Sequence, residues 1–181
     1  SDGLFFEGYS IGKVGSTTGE ICFNTGMTVY QEIFTDSSYY GQLMVTTHTH
    51  IGNYGVHPEE SESEGVNIQG LVVRNFSYHQ SRHDAAMTLQ AYLEKYGIVG
   101  ISDIDTRELV RHIRHKGAMN GIISSELFDR AELEKELAQC PDMKGLELAT
   151  AVSCKEPYTA GNPDAKYKVA ALDFGIKTLI L

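Results

Sequence analysis

The chain has 181 residues, the size of one domain or of one domain with part of a second. Its formal charge of −9 and its pI near 5.2 argue against nucleic acid as a partner, because the phosphates would be repelled. The sequence contains no apolar run of about 18 residues, so we expect no membrane contact. The first residues lack the basic and apolar regions of a signal peptide, and we expect a cytoplasmic location.

The first fifty residues predict strands and one short helix. Residues 4–11 are rich in aromatic and β-branched types and predict a strand, and residues 20–24 predict a second strand. Because residues 15–19 are typical of a turn, we expect these two strands to form a hairpin. The short helix that follows would bury Val29, Ile33 and Phe34 and would turn its polar residues, Gln31, Glu32 and Asp36, outward. Residues 42–47 predict a buried strand.

The next segment combines a glycine turn with an acidic run. Gly52 and Gly55, which flank Asn53, predict a tight backbone path with positive φ. The run from Pro58 to Gly65 contains four glutamates. Charge runs seldom form rigid cages, so it predicts a solvated connection rather than a cation site. Residues 66–74 predict a further strand.

Helical periodicity dominates the second half of the chain. A helix is predicted from Asp84 to Tyr96, followed by a strand at residues 98–101. Asp105 and Asp129 each precede a glutamate by three residues, a pattern that predicts a capped helix start. A strand is predicted between those two helices, at residues 118–124. In the second of them we expect Leu133 and Leu137 to lie in the core.

The C-terminal part of the sequence predicts a linker followed by the first strand of a second domain. Residues 153–166 contain two prolines and a glycine and predict an interdomain linker. Residues 167–175 form a continuous apolar run, which is typical of a buried parallel strand. We therefore divide the chain into a domain at 1–152, a linker at 153–166 and the first strand of a second domain at 167–181.

Two sets of chemically reactive side chains were considered as sites. The histidines at positions 48, 50 and 57 lie in a loop, and no cysteine or carboxylate completes a recognised metal-ligand spacing around them. Cys22, Cys140 and Cys154 are odd in number and lack the strand-to-helix elbow of a catalytic cysteine, so we expect them to be structural. The sequence thus predicts no metal site and no catalytic residue.

The polar residues after the first helix, Thr35-Asp36-Ser37-Ser38, allow two interpretations. They are consistent with an ordinary helix connection whose side chains cap the backbone. They are also consistent with a loop that presents a ligand contact from a rigid scaffold. Composition alone favours the first interpretation.

Several segments closely resemble the small subunit of carbamoyl phosphate synthase, in the same order and at the same spacing. The matching segments are Phe23-Asn24-Thr25-Gly26-Met27-Thr28-Val29-Tyr30-Gln31-Glu32-Ile33, Thr35-Asp36-Ser37-Ser38-Tyr39, His50-Ile51-Gly52-Asn53-Tyr54-Gly55, Gly70-Leu71-Val72-Val73-Arg74, Ile104-Asp105-Thr106-Arg107 and Lys116-Gly117-Ala118-Met119-Asn120-Gly121. Together they extend over nearly the whole chain.

The resemblance implies a two-domain glutaminase subunit of α/β class. Its N-terminal domain would be a layered β/β/α module of the swivelling type that docks on a large subunit. Its C-terminal domain would be a flavodoxin-like class I glutamine amidotransferase with a Cys-His-Glu triad, truncated in this chain. The ammonia released from glutamine would pass to the large subunit, which makes carbamoyl phosphate from bicarbonate with ATP and magnesium, for arginine or pyrimidine synthesis. No cofactor is expected in this chain.

One family site falls within the sequence. The serine of the family's Thr-Asp-Pro-Ser-Tyr segment contacts the substrate glutamine, and the resemblance places it at Ser38. The chain departs from the family pattern at Val29, where glycine is usual, at Ser37, where proline is usual, and at His48-Thr49, where Tyr-Pro is usual. Because a β-branched residue disfavours positive φ, we expect a more regular helix start at Val29.

Two functions fit these observations. The first is the glutaminase subunit of carbamoyl phosphate synthase, of which this chain would be the N-terminal portion, without the catalytic triad. The second is a docking module of the same fold that acts only through protein contacts. The sequence that follows Leu181 would distinguish the two.

Overall fold

The computed structural model describes residues 2–181, so the first residue of the predicted N-terminal domain lies outside the described part. The strands are Tyr9–Gly12 (β1), Ser16–Asn24 (β2), Leu43–Thr46 (β3), His50–Ile51 (β4), Gly70–Val72 (β5), Asn75–Phe76 (β6), Val99–Ser102 (β7) and Asn120–Ser124 (β8). Six of them form one sheet in the order β1-β7-β5-β3-β2-β8, and β4 pairs with β6 in a separate parallel ribbon.

Five α-helices accompany the strands within residues 2–181. They are Tyr30–Thr35 (α1), Leu89–Lys95 (α2), Thr106–Lys116 (α3), Arg130–Leu137 (α4) and Ala149–Val152 (α5). Short 3-10 turns cover Ser37–Tyr39 and Thr178–Ile180. The predicted mixed α/β class is confirmed. The layered β/β/α type, the truncated amidotransferase unit and the division into domains stay predictions.

The middle strands of the sheet, β3 and β5, are buried on both faces because helices cover each side. In β3, Leu43 and Val45 pack with α3, whereas Met44 points to the opposite face and packs with α1 and α2. All four residues of β3 are therefore buried, as predicted for the strand at residues 42–47. Phe34 of α1 is fully buried in the Met44 cluster, which anchors this short helix on the sheet.

The predicted hairpin of the first two strands is wrong. β1 pairs antiparallel with β7, and β2 pairs parallel with β3 and antiparallel with β8. The pairing with β7 is close because Ile11 lies opposite Gly100, where an added Cβ would come within 2.8 Å of the Ile11 side chain. Turn residues show where a chain bends, but the pairing depends on which distant strand complements its surface.

The predicted helix starts are confirmed at two positions and wrong at a third. The Asp105 side chain accepts a hydrogen bond from the Glu108 backbone N at 3.0 Å, and Asp129 accepts from Ala131 and Glu132 at 2.9 and 3.1 Å. The helix predicted from Asp84 begins only at Leu89, because Thr88 caps it through the Ala91 N.

Two expectations about burial are also corrected. The strand predicted from residue 4 begins at Tyr9, and the arm before it is largely exposed. Leu133 and Leu137, expected in the core, are only half-buried, because α4 lies at the margin of the sheet beside the edge strand β8. Gly52 and Gly55 adopt φ of 93° and 73°, which confirms the predicted turn.

The C-terminal segment is not the buried strand that its apolar run predicted. Residues 167–172 are exposed and form no strand, because none of the strands described in residues 2–181 pairs with them. The Asp173 side chain accepts from the backbone N of Gly175 and of Ile176, both at 2.8 Å, and turns the chain. Residues 175–177 are half-buried against the body of the protein.

No helix within residues 2–181 has the length and apolarity that crossing a bilayer requires.

Candidate functional site

Ser38 lies on the 3-10 turn that directly follows α1. Asp36 initiates this turn, and its Oδ1 accepts a hydrogen bond from the Ser38 backbone N at 2.9 Å. Ser38 as a whole is exposed, and its side chain also hydrogen-bonds to the Asp36 carboxylate. Asp36 therefore holds both the backbone and the side chain of a residue that lies at the protein surface.

Helix α1 supports the turn through buried polar contacts that the sequence prediction missed. Gln31 was expected to face solvent, but it is 1% exposed. Its Nε2 donates to the His57 carbonyl at 2.6 Å, and its Oε1 accepts from the His57 N at 2.8 Å. Asp36, expected outside, is also buried. Gln31 is buried because the loop that begins at His57 covers it. The Asp36 carboxylate is instead bonded to the Ser38 N and to Lys177.

The start of α1 carries backbone strain. Val29 adopts φ 63° and ψ 35°, the left-handed region that β-branched residues disfavour. The expectation of a more regular helix start is therefore wrong. The surrounding contacts impose this conformation: the Val29 carbonyl accepts from the Ile33 N, and the Tyr30 ring stacks on Tyr54 with centroids 4.2 Å apart. The site thus keeps the backbone geometry of a glycine although valine occupies the position.

The acidic run, predicted to be a solvated connection, packs against α1. The Glu62 N donates to Thr35 Oγ1 at 2.8 Å, and Ser63 Oγ donates to the Thr35 carbonyl at 2.7 Å. Asn67 adds a second donor to that carbonyl at 2.6 Å. These bonds satisfy polar groups at the C-terminal end of α1, so the run is a structural brace for the turn that carries Ser38.

The C-terminal segment contacts the same turn. Lys177 Nζ lies 2.7 Å from Asp36 Oδ2, and Ser37 Oγ donates to the Gly175 carbonyl at 2.5 Å. An added Cβ at Gly175, whose φ is 98°, would lie 2.8 Å from Ser37 Oγ, so only glycine allows this approach. The two residues that precede Ser38, Asp36 and Ser37, are thus bound to a segment nearly 140 residues away in sequence.

The charges at this contact favour the ion pair. Burial alone would raise the pKa of Asp36, but hydrogen bonds from Lys177 and Ser38 outweigh it and lower this pKa. The hydrogen bond to Asp36 raises the pKa of Lys177. Glu32, one turn earlier, behaves oppositely. Burial raises the pKa of its carboxyl, and its Oε2 is buried without a hydrogen-bond partner.

The structure brings neither of the other candidate sets together at Ser38. Among the residues that it describes, no group of three His, Cys, Asp or Glu side chains has the arrangement of a metal site. Burial raises the pKa of the Cys22 thiol to about 12, so this cysteine stays protonated and unreactive. The three described cysteines are free thiols.

A wide groove of about 1170 Å³ lies away from Ser38. The N-terminal arm, α4 and the sheet face that includes Ile21 and Leu43 line it. Leu4, Phe5 and Phe128 are exposed at or near its rim.

The residues that sequence reasoning missed are Lys177 and Glu62. Lys177 lies in a segment predicted as the first strand of a second domain, and Glu62 in a run predicted to be solvated. No local pattern links either residue to Ser38, because the contacts depend on how the chain folds back on itself.

Comparison with known proteins identifies the chain's relatives. Residues 1–123 match the family model described as carbamoyl-phosphate synthase small chain, CPSase domain. The carbamoyl phosphate synthase small chain of Chlorobaculum tepidum is 46% identical over 180 residues, which are 99% of this chain and 49% of that protein. That of Thermotoga maritima is 47% identical over 180 residues, 99% of this chain and 46% of that protein.

The chain spans about half the length of these curated relatives. The match nevertheless includes the turn with Ser38 and all eight strands but the last residue of β8. The chain belongs to the carbamoyl phosphate synthase small chain family.

Proposed function

We propose that the chain is the N-terminal part of a glutaminase subunit and that Ser38 forms one edge of the glutamine site. The complete subunit would hydrolyse glutamine and deliver ammonia to a large subunit. That partner would use ATP and magnesium to make carbamoyl phosphate from bicarbonate. The observation that carries the proposal is the position of Ser38, an exposed residue held on a braced turn directly beside the C-terminal segment.

The hydroxyl of Ser38 can bind the end of glutamine that carries the α-ammonium and α-carboxylate groups. A serine hydroxyl both donates and accepts hydrogen bonds, so it can pair with an α-ammonium or an α-carboxylate group. Its backbone is already ordered by Asp36, so glutamine binding would spend little free energy on fixing this contact. We assign no catalytic role to Ser38, because the Cys-His-Glu triad is expected in the amidotransferase domain.

The finer architecture belongs to the same proposal. Residues 1–152 would form a layered β/β/α domain of the swivelling type that docks on the large subunit. Residues 167–181 would open a flavodoxin-like amidotransferase domain after a linker at 153–166. We expect the assembled enzyme to be cytoplasmic and to serve arginine or pyrimidine synthesis.

The test is the substitution Ser38→Ala in the full-length subunit assembled with its large subunit. Losing one hydrogen bond to a charged group weakens binding by about 1.5–3 kcal/mol, so we expect KM for glutamine to rise at least about tenfold. Ammonia-dependent synthesis should be unchanged, because it bypasses the glutamine site.

Ser10→Ala is a matched control, since Ser10 is also an exposed serine, on the edge strand β1. It should leave both activities at their original values. An unchanged KM for glutamine in Ser38→Ala would refute the assignment of Ser38. If the unsubstituted full-length subunit has no glutaminase activity, the docking-module function would replace the glutaminase proposal.

A further inference from the structure

Asp36 uses its two carboxylate oxygens for two different parts of the chain. Oδ1 accepts from the Ser38 backbone N at 2.9 Å, and Oδ2 is 2.7 Å from Lys177 Nζ. The Asp36 side chain is only 11% exposed, so little water can replace either partner. One buried carboxylate therefore links the turn that carries Ser38 to the segment at 175–179.

Glu62 holds the same segment from another direction. Its carbonyl accepts from the Thr178 backbone N at 3.0 Å, and its Oε2 accepts from the Leu179 N at 3.1 Å. Its own N is bonded to Thr35, at the end of α1. The segment is thus clamped between two acidic residues that are both fixed to the end of α1.

We propose that Asp36 is a positioning residue for glutamine binding: it fixes Ser38 relative to the C-terminal segment and does not touch the substrate. This inference rests on the proposed role of Ser38. A glutamine molecule that contacts both Ser38 and a second domain needs the two surfaces at a set separation. Where the protein does not impose that separation, ligand binding must supply the free energy of ordering.

The ion pair is the part of the clamp that a single substitution can remove selectively. Asn at position 36 keeps an oxygen that accepts from the Ser38 N, because Asn and Asp are equally good at this capping position. It loses the negative charge that attracts Lys177. Asp36→Asn therefore separates the coupling between the two segments from the local shape of the turn, whereas Asp36→Ala removes both.

Kinetics of the full-length subunit, assembled with its large subunit, supply the first test. We expect Asp36→Asn to raise KM for glutamine about tenfold, the factor that 1.4 kcal/mol of ordering free energy represents, and to leave kcat nearly unchanged. Asp36→Ala should raise KM further. Asp164→Asn makes the same change of charge at an exposed residue and should leave KM unchanged.

Hydrogen exchange in the 181-residue chain supplies a second readout that does not depend on glutamine. The amides of Thr178 and Leu179 donate to Glu62, so their protection reports directly on docking of the segment. We expect Asp36→Asn to speed their exchange about tenfold, and Asp164→Asn to leave it unchanged. Equal exchange in Asp36→Asn and the unsubstituted chain would overturn the coupling.

The combined outcomes separate the two proposals. A raised KM in Ser38→Ala with an unchanged KM in Asp36→Asn would overturn the role of Asp36 and leave that of Ser38 intact. An unchanged KM in Ser38→Ala would overturn both. A lowered kcat at constant KM in Asp36→Asn would assign Asp36 to the chemical step and refute a positioning role.

Discussion

Because the start of α1 is strained, we predict that glycine at position 29 stabilises the fold more than alanine does. Val29 has φ 63° and ψ 35°, and its side chain is 47% exposed. A non-glycine residue in this left-handed region carries about 1–2 kcal/mol of strain. Glycine carries none, although its greater freedom in the unfolded chain offsets about 0.5–1 kcal/mol of that gain.

The comparison that isolates the strain is between Val29→Gly and Val29→Ala. Both substitutions remove the half-exposed isopropyl group of Val29, and they differ only in the single methyl group that alanine retains. The free energy lost with buried apolar surface is therefore nearly the same in the two variants. We therefore expect the free energy of unfolding of the glycine variant to exceed that of the alanine variant by about 0.5–1 kcal/mol. In a chain of this size, each kcal/mol of that difference raises Tm by about 2–4 °C. In a regular helical conformation the order would reverse, with alanine more stable by about 1 kcal/mol.

Urea unfolding of the two variants, followed by circular dichroism, measures this difference. The slopes of the two transitions should agree, so that the midpoints report stability alone. An alanine variant that is as stable as the glycine variant, or more stable, would show that Val29 is not held in the left-handed region.

Two further predictions concern ionisation and activity. Because burial raises the folded-state pKa of Glu32 above its unfolded value, the ionised carboxylate destabilises the fold above that pKa, and the penalty disappears as the pH falls through it. In urea unfolding, Glu32→Gln should therefore be more stable than the original chain at about pH 8 but not at about pH 4. Glu59→Gln, a substitution at an exposed residue, is the control and should show no such difference. An equal increase in the stability of Glu32→Gln at both pH values would refute the role of the charge. The 181-residue chain alone should release no glutamate from glutamine above the buffer rate, because the Cys22 thiol stays protonated and we assign no catalytic role to the other two cysteines. Turnover that disappears on alkylation of the cysteines would contradict that assignment.

Local chemistry accounts for the parts of the fold that the sequence predicted correctly. A cap at Asp105 or Asp129 involves only the three residues that follow it, and the turn at Gly52 and Gly55 is set by backbone freedom. The burial of β3 follows from four consecutive residues without a charge. The assignment of Ser38 came from a family motif, and it stays a prediction.

Most of the errors involve contacts between distant parts of the chain, although the late start of α2 follows from the local cap at Thr88. The partner of β1 is β7, nearly ninety residues away, because Gly100 leaves room for Ile11. Gln31 is buried because its amide pairs with the backbone of His57, which a helical pattern does not reveal. At Val29, the contacts of Tyr30 and Ile33 override the residue's own preference for negative φ.

The sequence by itself determined the α/β class, the helix caps at Asp105 and Asp129 and the motif that places this chain in its family. It did not determine what surrounds Ser38. Asp36 and Lys177 meet only after the chain has folded back from residue 177 to the end of α1. Whether such distant residues form an ion pair depends on how all the helices and strands between them pack together, and no local sequence pattern shows that packing. Tertiary structure therefore decided how Ser38 is held, because only the folded chain brings the two charges within bonding distance.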